Sequence, residues 1–166
     1  MRASSTRLTI TGVVLKFRVN LMESAVSALE GIRARRRPER ARHLETGLQG
    51  ERAAFFWLMR RGYVVVARGW HSSRAPGDLD LVAWRGDTLC FVEVKTRTTR
   101  EVAAAHVAVD SRKRRVLRRL ARHYMRQLPS REVETRFDIL SIYLERDKPA
   151  DFEHFPGAFG WGEAER

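Results

Sequence analysis

Gly77-Asp78-Leu79-Asp80-Leu81-Val82-Ala83-Trp84, then Arg85-Gly86-Asp87, then Thr88-Leu89-Cys90-Phe91-Val92-Glu93-Val94-Lys95-Thr96: the fold is decided by this stretch. It reads as two strands, 79–84 and 88–96, joined by a turn at Arg85-Gly86-Asp87, that is, a hairpin. Side chains two apart on a strand share a face. In the later strand Leu89, Phe91, Glu93 and Lys95 therefore share one face, and Cys90, Val92 and Val94 the other. In the earlier strand Asp78, Asp80 and Val82 share a face, and the hairpin can bring Asp80 near Glu93. Acidic residues and Lys are depleted in ordinary strands, so their position at the end of an apolar strand calls for an explanation.

Upstream of the hairpin, Thr46 and Gln49 fit a capping box, Ala54, Phe55, Leu58 and Met59 recur at helical spacing, and Gly62 is a natural stop, which predicts a helix over about 46–61. Val-rich residues 63–68 predict a strand, followed by a loop carrying Gly69, Ser72, Ser73, Pro76 and Gly77. Downstream, Val116, Leu117, Leu120, Ala121, Tyr124 and Leu128 form one face of a helix over 110–128, with Arg115, Arg118, Arg119, Arg122 and Arg126 opposite. Residues 137–144 predict a last strand, and the segment from Asp147 reads as loop with aromatics that pack back on the core. The order is α-β-β-β-α-β. The expected fold class is α/β, a small mixed sheet with one helix covering each face.

Residues 1–42 read as a basic N-terminal extension with little fixed structure. Six arginines fall between Arg33 and Arg42 around Pro38, and such a block repels itself. The folded domain is expected over 43–160, with 161–166 as a tail. The longest run without a formal charge, His154 to Gly162, spans about nine residues, far short of the roughly 20 of a membrane-spanning helix. No signal peptide is legible in the first residues, so a cytoplasmic location is expected, with no membrane partner. The single cysteine, Cys90, excludes an internal disulfide and a Cys-rich zinc site.

Thirty-two basic residues against twenty acidic ones give a net charge of +12, which favours an anionic partner, nucleic acid foremost. The basic set is 28 Arg and 4 Lys. Arg forks onto phosphate oxygens, whereas Lys is a compact point charge. That one of so few lysines stands at position 95 supports a chemical use for it. Two carboxylates such as Asp80 and Glu93 resist joint ionisation unless a cation lies between them, and Mg²⁺ is typically held by one or two carboxylates with water and phosphate oxygens. A Glu93–Lys95 ion pair on an exposed strand is the competing reading. Glu51 lies on the helix face of Ala54, Phe55 and Leu58 and is either a third acid of the site or a first-turn residue serving the helix dipole.

Together these motifs resemble a known family. Gly50-Glu51 near a helix start, Gly62-Tyr63 after it, Gly77-Asp78-Leu79-Asp80-Leu81-Val82, Phe91-Val92-Glu93-Val94-Lys95-Thr96-Arg97, Lys113 in the basic helix, Arg136-Phe137-Asp138 and Ala158-Phe159 are similar to the YraN family of small bacterial proteins, over about residues 43–160. The resemblance implies a restriction-endonuclease-like fold of the PD-(D/E)XK kind, close to archaeal Holliday-junction resolvases. It further implies a nuclease cutting DNA, including branched DNA, with Mg²⁺ or Mn²⁺ as cofactor. Asp80 then matches the metal-binding aspartate, Glu93 the second metal ligand, Lys95 the catalytic lysine and Glu51 the helical glutamate. Arg97, Lys113, Arg115, Arg118, Arg119 and Arg122 are the expected contacts to nucleic acid, and a homodimer is a further implication. Asp78, Gly69 and His71 depart from the family's usual Glu, Asn and Arg. A non-catalytic nucleic-acid-binding module of the same fold is the alternative function.

Overall fold

A computed structural model of the chain describes residues 39–99, 109–129 and 132–162. Among them run α1 (Glu39–Arg60), β1 (Val64–Ser72), β2 (Ala75–Arg85), β3 (Thr88–Arg97), α2 (Ser111–Met125), β4 (Glu134–Tyr143) and β5 (Asp151–Phe159). The strands form one sheet in the order β1-β2-β3-β4-β5. All neighbours pair antiparallel except β3 and β4, which run parallel from Thr88↔Glu134 to Arg97↔Tyr143. A parallel pair needs a crossover connection, and α2 lies within it. The fold is α/β with a mixed sheet, as the element order predicts.

Alternation along the central strands divides the core into two layers. Cys90, Val92 and Val94 of β3 and Leu140 and Ile142 of β4 pack with Ala54, Trp57 and Leu58 of α1. Leu89 and Phe91 of β3 and Phe137 and Ile139 of β4 pack with Leu117, Leu120 and Ala121 of α2. Each helix thus covers one face. A helix or sheet that is apolar on one side must bury that side against another element.

Four elements differ from the sequence reading. Helix α1 runs from Glu39, directly after Pro38 in sequence, so Thr46 lies inside it and is not its N-cap. Arg40 and Arg42, read as part of the extension, belong to this helix, whereas residues 1–38 lie outside those described. The loop expected over 69–77 shrinks to Ser73 and Arg74, because β1 and β2 run on into it. One step on β1, from His71 to Ser72, spans Asp78 to Ala75 on β2, which leaves Pro76 and Gly77 as the surplus of a bulge. That is where a strand tolerates a residue without an N–H, and Gly77, at φ 90°, adopts a backbone few other residues would. The last predicted strand starts earlier, at Glu134. Finally, the segment read as loop after Asp147 contains β5, an edge strand antiparallel to β4.

Candidate functional site

The hairpin runs in register from Arg85↔Thr88 to Leu81↔Val92. One step further along that register sets Asp80 opposite Glu93. The backbone ladder gives way there to a side chain: Asp80 Oδ2 accepts the Val94 N–H at 2.7 Å. Leu79 joins the same layer as Val82, three positions on, so strict alternation slips by one beside Asp80. Glu93 continues the Leu89–Phe91 face, which looks toward α2.

These side chains line one cavity of about 420 Å³. Its wall comprises Thr46, Gly47 and Glu51 of α1, Asp80 of β2, and β3 from Glu93 to Arg97 with Thr98 and Thr99 beyond it. The close approach of α1 depends on Gly50. A Cβ added there would stand 1.8 Å from Thr96 Oγ1, so only glycine lets the helix lie this near the strand and carry Glu51 to the cavity.

Glu93 is 3 % exposed, which rules out the surface ion pair considered above. Its Oε1 takes two ammonium groups, Lys95 Nζ at 2.7 Å and Lys113 Nζ at 3.0 Å. Its Oε2 is buried and has no hydrogen-bond partner among the described residues. The Arg97 Nε is likewise buried and without a partner among them. Orphaned buried polar atoms are rare in folded proteins and each asks for a reason.

The electrostatics point the same way. Burial first, and the Glu93 charge second, push the Asp80 carboxyl up from 3.8 to about 7. The Glu51 carboxyl is also raised, by burial and then by the charge of Asp78, with Glu93 contributing. Burial favours a neutral Lys113, but the charge and hydrogen bond of Glu93, together with Asp80 and Asp78, outweigh it, so the pKa of Lys113 rises. Strongly perturbed groups gathered in one cavity are a common mark of a functional site.

Glu51, Asp80, Glu93, Lys95 and Arg97 thus meet at one cavity. The arginines of α2 fare differently. Arg115, Arg119 and Arg122 are exposed. Arg118 is half-buried: its Nε donates to the Gly160 carbonyl at 2.8 Å and its guanidinium lies 5.7 Å from the Phe159 ring centre. Lys113, grouped with the phosphate contacts in the sequence reading, instead reaches the Glu93 carboxylate, its Nζ 3.0 Å from Oε1. The signal that singles out Lys95, a lysine in a chain that prefers arginine, applies equally to Lys113. The threonines of the wall carry no comparable mark in the sequence. Among the described residues no three His, Cys, Asp or Glu side chains are grouped to hold a metal ion, and no helix is long and apolar enough to cross a membrane.

Residues 50–142 match the Uncharacterised protein family UPF0102. The chain is 50 % identical over 112 residues to the UPF0102 protein of Koribacter versatilis (strain Ellin345), covering 68 % of this chain and 78 % of that one. It is 39 % identical over 132 residues to that of Solibacter usitatus (strain Ellin6076), covering 80 % and 95 %. To that of Porphyromonas gingivalis (strain ATCC BAA-308 / W83) it is 40 % identical over 120 residues, covering 72 % and 87 %. The matched span holds Glu51, Asp80, Glu93, Lys95 and Lys113, and the chain belongs to the UPF0102 family.

Proposed function

We propose that this chain is a metal-dependent endonuclease of the restriction-endonuclease-like, PD-(D/E)XK kind, hydrolysing phosphodiester bonds in DNA. The observation that carries the reading is the state of Glu93. One oxygen is held by two ammonium groups while the other, buried beside an Asp80 whose carboxyl is raised to about 7, has no partner among the described residues. A hard divalent cation answers both features, since it relieves the repulsion between the carboxylates and takes up the free oxygen. Asp80 and Glu93 would hold Mg²⁺ or Mn²⁺, with Glu51 acting through water. Such an ion polarises the scissile phosphate and lowers the pKa of an attacking water.

The chain's own groups divide the remaining tasks. Lys95, 29 % exposed at its side chain, stands beside Glu93 at the cavity and supplies positive charge where negative charge builds up in the transition state. Arg97, on the cavity wall, adds positive charge near a flanking phosphate. Exposed Arg115, Arg119 and Arg122 add long-range attraction to the backbone. The resemblance to resolvases directs the choice of substrate to branched and junction DNA.

The test is a panel of labelled junction, flap, single-stranded and duplex DNAs incubated with Mn²⁺ and with EDTA. Cleavage of at least one substrate with Mn²⁺ and none with EDTA is expected. Salt-sensitive binding without cleavage of any would favour the non-catalytic binding module instead.

A further inference from the structure

Lys113 was grouped by sequence with the phosphate-contacting arginines. We infer that Lys113 is instead a positioning residue for Glu93, bracing that carboxylate from α2 so that its second oxygen is left free for the cavity. The inference rests on the nuclease reading above and names a further residue of the same site.

The geometry has three parts. Lys113 Nζ lies 3.0 Å from Glu93 Oε1, the oxygen also held by Lys95. Two cations on one oxygen leave Oε2 unclaimed, and the carboxylate plane cannot turn without breaking one of the two contacts. Lys113 is itself held at its backbone: Asp110 caps α2, and its Oδ1 accepts the Lys113 N–H at 2.7 Å. The first turn of the helix therefore fixes the root of the side chain, while β3 fixes the root of Glu93.

The arrangement also divides labour between the two lysines. Lys95 is two residues from Glu93 on the same strand face. To meet a phosphate it must loosen its hold on the carboxylate. Lys113 keeps the buried Glu93 compensated when that happens. Without it, the departure of Lys95 would leave a buried charge alone, a costly state.

The experiment uses the full chain with Lys113→Met, which keeps the length and apolar stem, and Lys113→Arg, which keeps the charge. Lys113→Met should lower kcat about 10- to 100-fold, the usual effect of losing a group that orients a metal ligand. KM for DNA and the salt dependence of binding should not change, and Lys113→Arg should recover much of the rate. A phosphate-contacting Lys113 would behave otherwise: its loss would cut the salt slope by about one unit and spare kcat at saturating DNA, which overturns the proposal. Heteronuclear NMR of the lysine ammonium groups supplies a readout independent of cleavage. In metal-free wild type the Lys113 ammonium should be protected from exchange, and Glu93→Ala should abolish that protection. If Glu93→Ala does not fold, Glu93→Gln should shift and weaken the signal. If wild type cuts no DNA, the nuclease reading fails and the NMR decides the brace alone. A Lys113 signal indifferent to both Glu93 variants overturns it.

Discussion

At the scale of single residues, the cavity separates effects on chemistry from effects on binding. Lys95→Ala removes one of 32 positive charges, so DNA affinity should barely change. In the proposed nuclease, cleavage should fall about 10²–10³-fold, roughly 3–4 kcal/mol, because there the lost charge would face the transition state. Paired measurement of rate and affinity checks this, and unchanged cleavage would point to a contaminating nuclease. Asp80 gives a second prediction with a defined sign. Its carboxyl is raised from 3.8 to about 7, so between those values the folded chain holds a proton that the unfolded chain has lost. Stability contributed this way is complete below 3.8 and is lost as pH rises through about 7. Asp80→Asn escapes that loss and can still accept the Val94 N–H. Without divalent ions and above about pH 8 it should be more stable than wild type by about 1–3 kcal/mol, the two converging in mild acid. It should cut no DNA, and Mg²⁺ should raise the melting temperature of wild type alone. Denaturant titrations across pH, with and without Mg²⁺, would settle both signs.

Whole elements are held in place by a few contacts, and these explain what the sequence hides. Strand β5 carries Pro156 and Gly157 and lacks an alternating run, so its composition reads as loop. What fixes it is Asp138 on β4. This buried carboxylate takes Arg136 Nε at 2.7 Å, His154 Nε2 at 3.0 Å and the Gly157 N–H at 3.0 Å, the last two from β5 itself. Burial works to raise the Asp138 carboxyl, but the hydrogen bonds from His154, Arg136 and Gly157 outweigh it and hold it below its ordinary 3.8. That stability is present above 3.8 and is lost as pH falls through the lowered value. Asp138→Ala should cost about 1–3 kcal/mol by leaving His154 and the Gly157 N–H without their acceptor, and hydrogen exchange should show β5 opening first. The other hidden feature is the reach of α1. Helical spacing gave its middle and end, but Thr46 and Gln49 imitated a start that the longer helix overrides. By contrast, the pairing of Glu93 with Lys95 was legible because strand parity is a local rule, whereas Asp80 was placed near Glu93 by the hairpin register and not by parity, which slips beside it. Lys113 was not legible, since its partner is 20 positions away in sequence and only the packing of α2 on the sheet brings the two together. Gly50→Ala tests the seat of α1: the added methyl group would collide with Thr96, cost about 1–3 kcal/mol and displace Glu51, read as lost thermal stability.

For the molecule as a whole, the charge of +12 predicts salt-dependent association with DNA. The arginines of α2 differ in how they are held. Arg115, Arg119 and Arg122 are exposed, Arg119 also donating to the Arg74 carbonyl at 3.1 Å, so replacing all three by Ala should lower the salt slope of DNA binding by about three units if each meets a phosphate. Arg118 is tied to the Gly160 carbonyl, so Arg118→Ala should reduce stability more than it reduces the slope. Binding titrations over a range of salt concentrations distinguish the two.

The parallel pairing of β3 with β4 bears on how the chain reaches this state. The β2–β3 hairpin is local and can close early, and with it Asp80 and Glu93 come face to face. The β3–β4 ladder joins residues such as Cys90 and Arg136 across the whole crossover. Contacts that distant in sequence are slow to form, because the loop entropy is spent before they reward it. The ammonium group of Lys113 comes from inside that crossover. During refolding the two acids, with Lys95 beside them, are therefore expected to meet before the half-buried Lys113 arrives. A chain halted at the hairpin would display paired carboxylates without the lysine from α2, and competence to cut would emerge only with the last, slowest contacts. Any chemistry that needs Lys113 beside Glu93 is tied to completion of the fold.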